Sequence, residues 1–158
     1  MIRHAMAVFA LLALLASPVV GQLPTKPTLT LEAAKEVASS AEAEARANGW
    51  NVVIAIVDDG AHLIYLQRMD GTQIGSVEVA IEKAMSAVLY RRSTEAFRDA
   101  VGEGNLTVLG LPGAMPVEGG LPLSVNDQTI GGIGVSGVPP EYDGAIARSG
   151  LRAFETMH

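Results

Sequence analysis

The run Val52-Val53-Ile54-Ala55-Ile56-Val57 constrains the fold of this chain more than any other segment. Six consecutive apolar residues, most of them β-branched, suit a strand that is covered on both faces. After Asp58-Asp59-Gly60-Ala61, strand character resumes in His62-Leu63-Ile64-Tyr65-Leu66. Asp-Gly between two such runs is a strong hairpin signal. The expected core is therefore an antiparallel strand pair with apolar material packed against it.

That material is supplied by helices. Thr28-Leu29-Thr30 can cap a helix reaching about Asn48, with Leu31, Ala34, Val37, Ala38, Ala41 and Ala45 recurring at helical spacing and Gly49 ending it. A second amphipathic helix is predicted from about Ser76 to Arg92 and a shorter one from Ser93 to Val101. From Gly102 to Gly120 glycine and proline dominate, so this stretch reads as a long loop, the kind of segment that often carries function. Strands follow at 121–125 and 129–135 around an Asn126-Asp127-Gln128 turn, and a last helix opens after Pro139-Pro140 and runs to about Thr156. Two hairpins and several helices imply an antiparallel sheet with helices packed on it.

The first 21 residues read differently. Arg3 precedes an apolar run, Ala5 to Ala16, that is too short to span a bilayer; Pro18 and the small Gly21 follow. This is the pattern of a signal peptide, with cleavage expected after Gly21 and a periplasmic or secreted mature protein beginning at Gln22. The absence of cysteine suits an oxidising compartment and excludes thiol catalysis, thiolate-bound zinc and iron–sulfur clusters. A formal net charge of −6, one unit lower without Arg3, repels phosphate backbones, so nucleic acid is not an expected partner. No segment of the mature chain is apolar enough to cross a membrane.

Few residues can carry chemistry. His62 is the one internal histidine beyond the leader, since the other is the terminal His158. Beside Asp58 and Asp59 it suits a metal or haem ligand, a proton donor or a solvated strand-end side chain. A zinc site wants three or four ligands and finds no second internal histidine. Gly134-Val135-Ser136-Gly137-Val138 lacks the final glycine of a nucleophile elbow. The clusters Gly119-Gly120 and Gly131-Gly132-Ile133-Gly134 suit either an anion-binding nest or close strand contacts. Arg91-Arg92 ends a helix, where cations favour the dipole, whereas Arg68 in the Arg-Met-Asp-Gly turn is the better anion-binding candidate unless it pairs with Asp70. Met69, Met85 and Met115 are either soft haem ligands or core filling.

Several stretches together resemble one family: Leu29-Thr30-Leu31-Glu32-Ala33-Ala34, Ile56-Val57-Asp58-Asp59-Gly60-Ala61-His62-Leu63, Arg68-Met69-Asp70-Gly71, Glu82-Lys83-Ala84, Pro116-Val117-Glu118-Gly119-Gly120 and Ile130-Gly131-Gly132-Ile133-Gly134-Val135-Ser136-Gly137. In order and spacing they resemble the GlcG/HbpS family of haem-binding proteins, from about Leu29 to Phe154. The resemblance implies a profilin-like three-layer α/β/α fold with a five-stranded antiparallel sheet, the fifth strand coming from about Leu106 to Leu111. It also implies homo-oligomers and, in exported members, binding of haem or a related tetrapyrrole. His62 matches the histidine of the family's Gly-Gly-His-Leu hairpin, with Ala61 in place of the preceding glycine.

Two functions follow as expectations. The first is an exported haem-binding protein with His62 on the iron and Arg68 or Lys83 pairing with the propionates. The second is an enzyme or binding module for a small organic acid or aldehyde, held by the loop Glu118-Gly119-Gly120, with His62 or Glu118 transferring a proton. A scaffold or sensor accessory without chemistry of its own is a third reading.

Overall fold

The computed structural model describes residues 25–157, so the expected leader and His158 lie outside the described residues. Helix α1 spans Leu31–Ala47, and its first turn is closed by the Thr30 hydroxyl, which accepts from the Ala33 amide at 3.2 Å. The expected hairpin follows as β1, Val53–Asp58, and β2, Leu63–Arg68. Helix α2, Ser76–Tyr90, ends on Arg91 in the left-handed conformation, and α3, Thr94–Gly102, is capped by Ser93. The second hairpin is β3, Gly120–Val125, with β4, Gln128–Ser136, turned through Asn126 and Asp127 at φ 49° and 62°. Consecutive positive φ values of this kind match the twist of a two-residue hairpin loop. Helix α4, Pro140–Glu155, closes the chain with Pro140 in its first turn.

Among the described residues the sheet has four antiparallel strands in the order β2-β1-β4-β3, not the five expected. The segment assigned to the fifth strand, Leu106–Gly110, is instead a short 3-10 helix. Its burial pattern explains the difference. Val108 alone turns inward, while Leu106 and Leu109 are about three-fifths exposed, which is the one-in-three rhythm of a 3-10 turn rather than the alternation of a strand. Pro122 in β3 suits the sheet edge that remains.

Strand β1 lies in the middle with helices on both sides, so its unbroken apolar run is explained by alternation. Ile54 and Ile56 join Ile133, Val135 and Leu123 under α1 and α4, whereas Val53, Ala55 and Val57 face α2. Glycines set how close the layers come. A Cβ at Gly132 would stand 2.9 Å from the Ala84 carbonyl oxygen, and one at Gly134 would stand 2.6 Å from the Ala84 amide. Helix α2 therefore rests with its backbone directly on β4, and close packing, rather than an anion nest, accounts for this part of the cluster.

Candidate functional site

The first hairpin holds His62 outward. Asp58 closes its turn by accepting the Gly60 and His62 amides, each at 2.8 Å, and these bonds, led by that from His62, keep the Asp58 carboxyl below its ordinary pKa. The same Asp58 oxygen stands 3.4 Å from His62 Nδ1, and the imidazole is 83% exposed. A carboxylate beside Nδ1 is the arrangement in which a histidine offers Nε2 to a metal.

The other sequence candidates lie elsewhere. Arg68 ends β2, opposite Val53 and thus at the far end of the sheet from the hairpin turn, roughly 17 Å of strand away. It is exposed, and no ion pair to Asp70 forms among the described residues. Met69 is buried in the core beneath α1 and α4. Lys83, Glu118, Gly119 and Gly120 do come together, but inside the protein. Lys83, 1% exposed, donates to Asp143 Oδ2 at 2.7 Å and to the Val135 carbonyl at 3.0 Å. Asp143 also accepts the Val138 amide at 3.2 Å. Burial holds the lysine below its usual pKa and the aspartate above its own, and their mutual attraction opposes both shifts without cancelling them.

Glu118, 4% exposed, sits beside this pair and receives Arg148 Nη1 at 3.0 Å and Arg98 through its other oxygen. Gly119, at φ 129°, lids the cluster, since a Cβ there would stand 2.9 Å from Lys83 Nζ. Gly144 makes room for the Glu118 side chain in the same way. The loop ahead of β3 is thus tied to α2, α3 and α4 by charge. Sequence reasoning found Lys83 and Glu118 but missed Asp143, Arg98 and Arg148. Asp143 lies in the first turn of α4, where the helix dipole alone explains an acid, and nothing in the spacing of the arginines marks them as partners of a glutamate in a loop.

Two cavities flank the C-terminal half of α2. One, about 500 Å³, is lined by polar side chains, including Asp59, Arg91, Asn126 and Thr129. Its other cation, Lys26, is paired with Asp59, and Asp127 adds a second acid. The other cavity, about 380 Å³, is lined by Glu82, Met85, Leu89, Gly113, Ala114 and Met115. Leu89, 54% exposed, borders both. The first opens at the end of the sheet that carries the His62 hairpin, because Asp58 pairs with Gly131 near the start of β4.

Comparison with known proteins decides the family. The model of the family described as "Haem degrading protein HbpS-like" matches residues 29–152. The chain belongs to the HbpS-like family. Protein GlcG of Escherichia coli K12 is 37% identical over 114 residues, which make up 72% of this chain and 85% of GlcG. Among solved structures, Klebsiella pneumoniae protein ORFY superposes with a TM-score of 0.80 at 32% identity, covering 89% of this chain and 99% of ORFY. A PduOC–haem complex superposes with a TM-score of 0.73 at 27% identity, covering 80% of this chain and 95% of that one. This HbpS-like chain shares with these solved structures its mixed α/β fold.

Proposed function

We propose that this protein is an exported, oligomeric tetrapyrrole-binding protein, with haem as its ligand and His62 as the residue that meets the iron. The observation that carries the reading is the exposed imidazole of His62 with the Asp58 carboxylate beside its Nδ1. Membership of the HbpS-like family and the likeness to a chain crystallised with haem support the choice of ligand. The donor set fits. A neutral imidazole is an ordinary axial ligand, and a bound haem would supply iron-centred ligand or electron chemistry.

Asp58 orients the ring, and the tight turn at Gly60 and Ala61 fixes where it stands. The charge of Lys83 is spent on Asp143 and Val135, so an anionic group on the ligand needs a different cation. Arg68, at the opposite end of the sheet, is poorly placed to share a ligand with His62.

The test is a haemin titration of the mature protein and of His62→Ala, read as Soret absorbance. Saturation near one haem per subunit, with a weaker and blue-shifted band in the variant, is the expected result. Linear uptake that ignores the substitution would sink the reading. Export is checked separately, by finding a product that begins at Gln22 in the periplasmic or secreted fraction; a full-length cytoplasmic product would overturn it.

A further inference from the structure

The C-terminal end of α2 carries an anomaly. Arg91 adopts φ 52° and ψ 42° at the helix cap, a left-handed position where glycine is the ordinary residue and any Cβ is strained. Its backbone amide donates to the Ala87 and Val88 carbonyls, which a glycine would do equally well. Its guanidinium is exposed, has no ion-pair or hydrogen-bond partner among the described residues, and lines the larger cavity. Of the two cations there it is the unpaired one, Lys26 being held by Asp59. The neighbouring Leu89 faces this polar cavity on one side and the Met85–Met115 groove on the other.

We propose that the two cavities form one amphipathic site for an apolar carboxylic acid, with the carboxylate on Arg91 and the apolar body over Leu89, Met85 and Met115. The polarity of the surface changes across one side chain. On the Arg91 side Asn126 and Thr129 add polar atoms, and on the far side two thioethers and Leu89 offer a deformable apolar floor. A guanidinium is the natural partner of a carboxylate. Glu82, on the Met85–Met115 side, disfavours an anionic group there by repulsion, while in the Arg91 cavity Asp59 is neutralised by Lys26 and Asp127 is the acid that an anion must avoid.

This inference rests on the tetrapyrrole reading only for the identity of the ligand body; in that reading Arg91 is the propionate partner that neither Lys83 nor Arg68 supplies. The same chemistry takes a medium-chain fatty acid.

Arg91→Gly makes the test clean, because it relieves backbone strain and is expected to raise Tm by a few degrees while removing the cation. Binding of haemin, protoporphyrin IX, protoporphyrin dimethyl ester and octanoate is measured for the wild type, Arg91→Gly and Leu89→Asp. The expected result is a loss of about tenfold or more for the acids in Arg91→Gly. The ester should be indifferent to that substitution, and Leu89→Asp should weaken every probe. Unchanged affinities in both variants would overturn this site while leaving the tetrapyrrole reading intact. Binding of octanoate through Arg91 with no binding of either porphyrin acid would support the site and overturn the tetrapyrrole reading. If the wild type binds none of the four probes, both fall.

Discussion

At the scale of single residues, the glycines separate backbone strain from packing. Gly49 sits at φ 71° with nothing within 4 Å of a Cβ built on it, so Gly49→Ala tests the left-handed conformation alone and should cost about 1–2 kcal/mol. Gly134 has no such strain, but a Cβ there drives into the Ala80 carbonyl and the Ala84 amide of α2. Its substitution by alanine must lift a helix off the sheet, at about 3 kcal/mol or more, the upper range of overpacking. Urea unfolding of the two variants checks the order of these costs; a cheaper Gly134→Ala would mean that α2 does not rest on β4. In the sequence, the cluster Gly131-Gly132-Ile133-Gly134 fits a nest and a contact surface equally well. A glycine records that a side chain is not tolerated there, and only the partner element shows why. The candidate His62 stands out in the sequence because it is the one internal histidine beyond the expected leader and lies beside two acids. The proposed role of Arg91 has no signal in the sequence, because a helix-terminal cation has an ordinary explanation in the dipole and its left-handed φ leaves no mark there.

Secondary-structure elements were largely legible, since β1, the helices and both hairpins follow from periodicity and turn chemistry. The 3-10 helix at Leu106–Gly110 was not, because five residues with three apolar side chains suit a strand or a turn equally well. What joins the elements is the pair Lys83 and Asp143, which fixes α2 to the start of α4. Breaking it from one side leaves a buried charge, so Lys83→Met should cost about 3–5 kcal/mol, while Lys83→Met with Asp143→Leu should recover most of that loss. The sign of the pH dependence is also fixed. Burial already raises the Asp143 pKa, and without its lysine the carboxyl of Lys83→Met moves higher still. Glu118, the nearest other acid, keeps Arg98 and Arg148 as partners and does not replace the lost cation. Between the unfolded aspartate pKa and that raised value, the folded variant binds a proton that the unfolded chain has released. Its stability therefore falls as pH rises through this window, and the Tm deficit against wild type should be larger at pH 8 than at pH 5. A deficit that stays constant across that range would show that Asp143 is not buried as a charge.

For the whole molecule, ligand and assembly are both tested through mass action. A ligand that binds only the folded chain stabilises it by RT ln(1 + [L]/Kd), about 2.7 kcal/mol at a hundredfold excess over Kd, and for a domain of this size that is a Tm rise of several degrees. An apolar dye that merely sticks to exposed surface binds the unfolded chain as well and leaves Tm flat or lower. Haemin should therefore raise the wild-type Tm, and the rise should shrink in His62→Ala. In Arg91→Gly the two effects separate, since the ligand-free Tm goes up while the shift on adding haemin goes down. Assembly leaves its own trace in the absence of ligand. If subunits associate when folded and not when unfolded, Tm rises with protein concentration, whereas a monomer melts at one temperature throughout. A hundredfold dilution series in differential scanning fluorimetry should show that upward trend for the proposed oligomer. A flat line, with sedimentation at the mass of one subunit, would remove assembly from the reading and leave the binding site to be completed by a single chain.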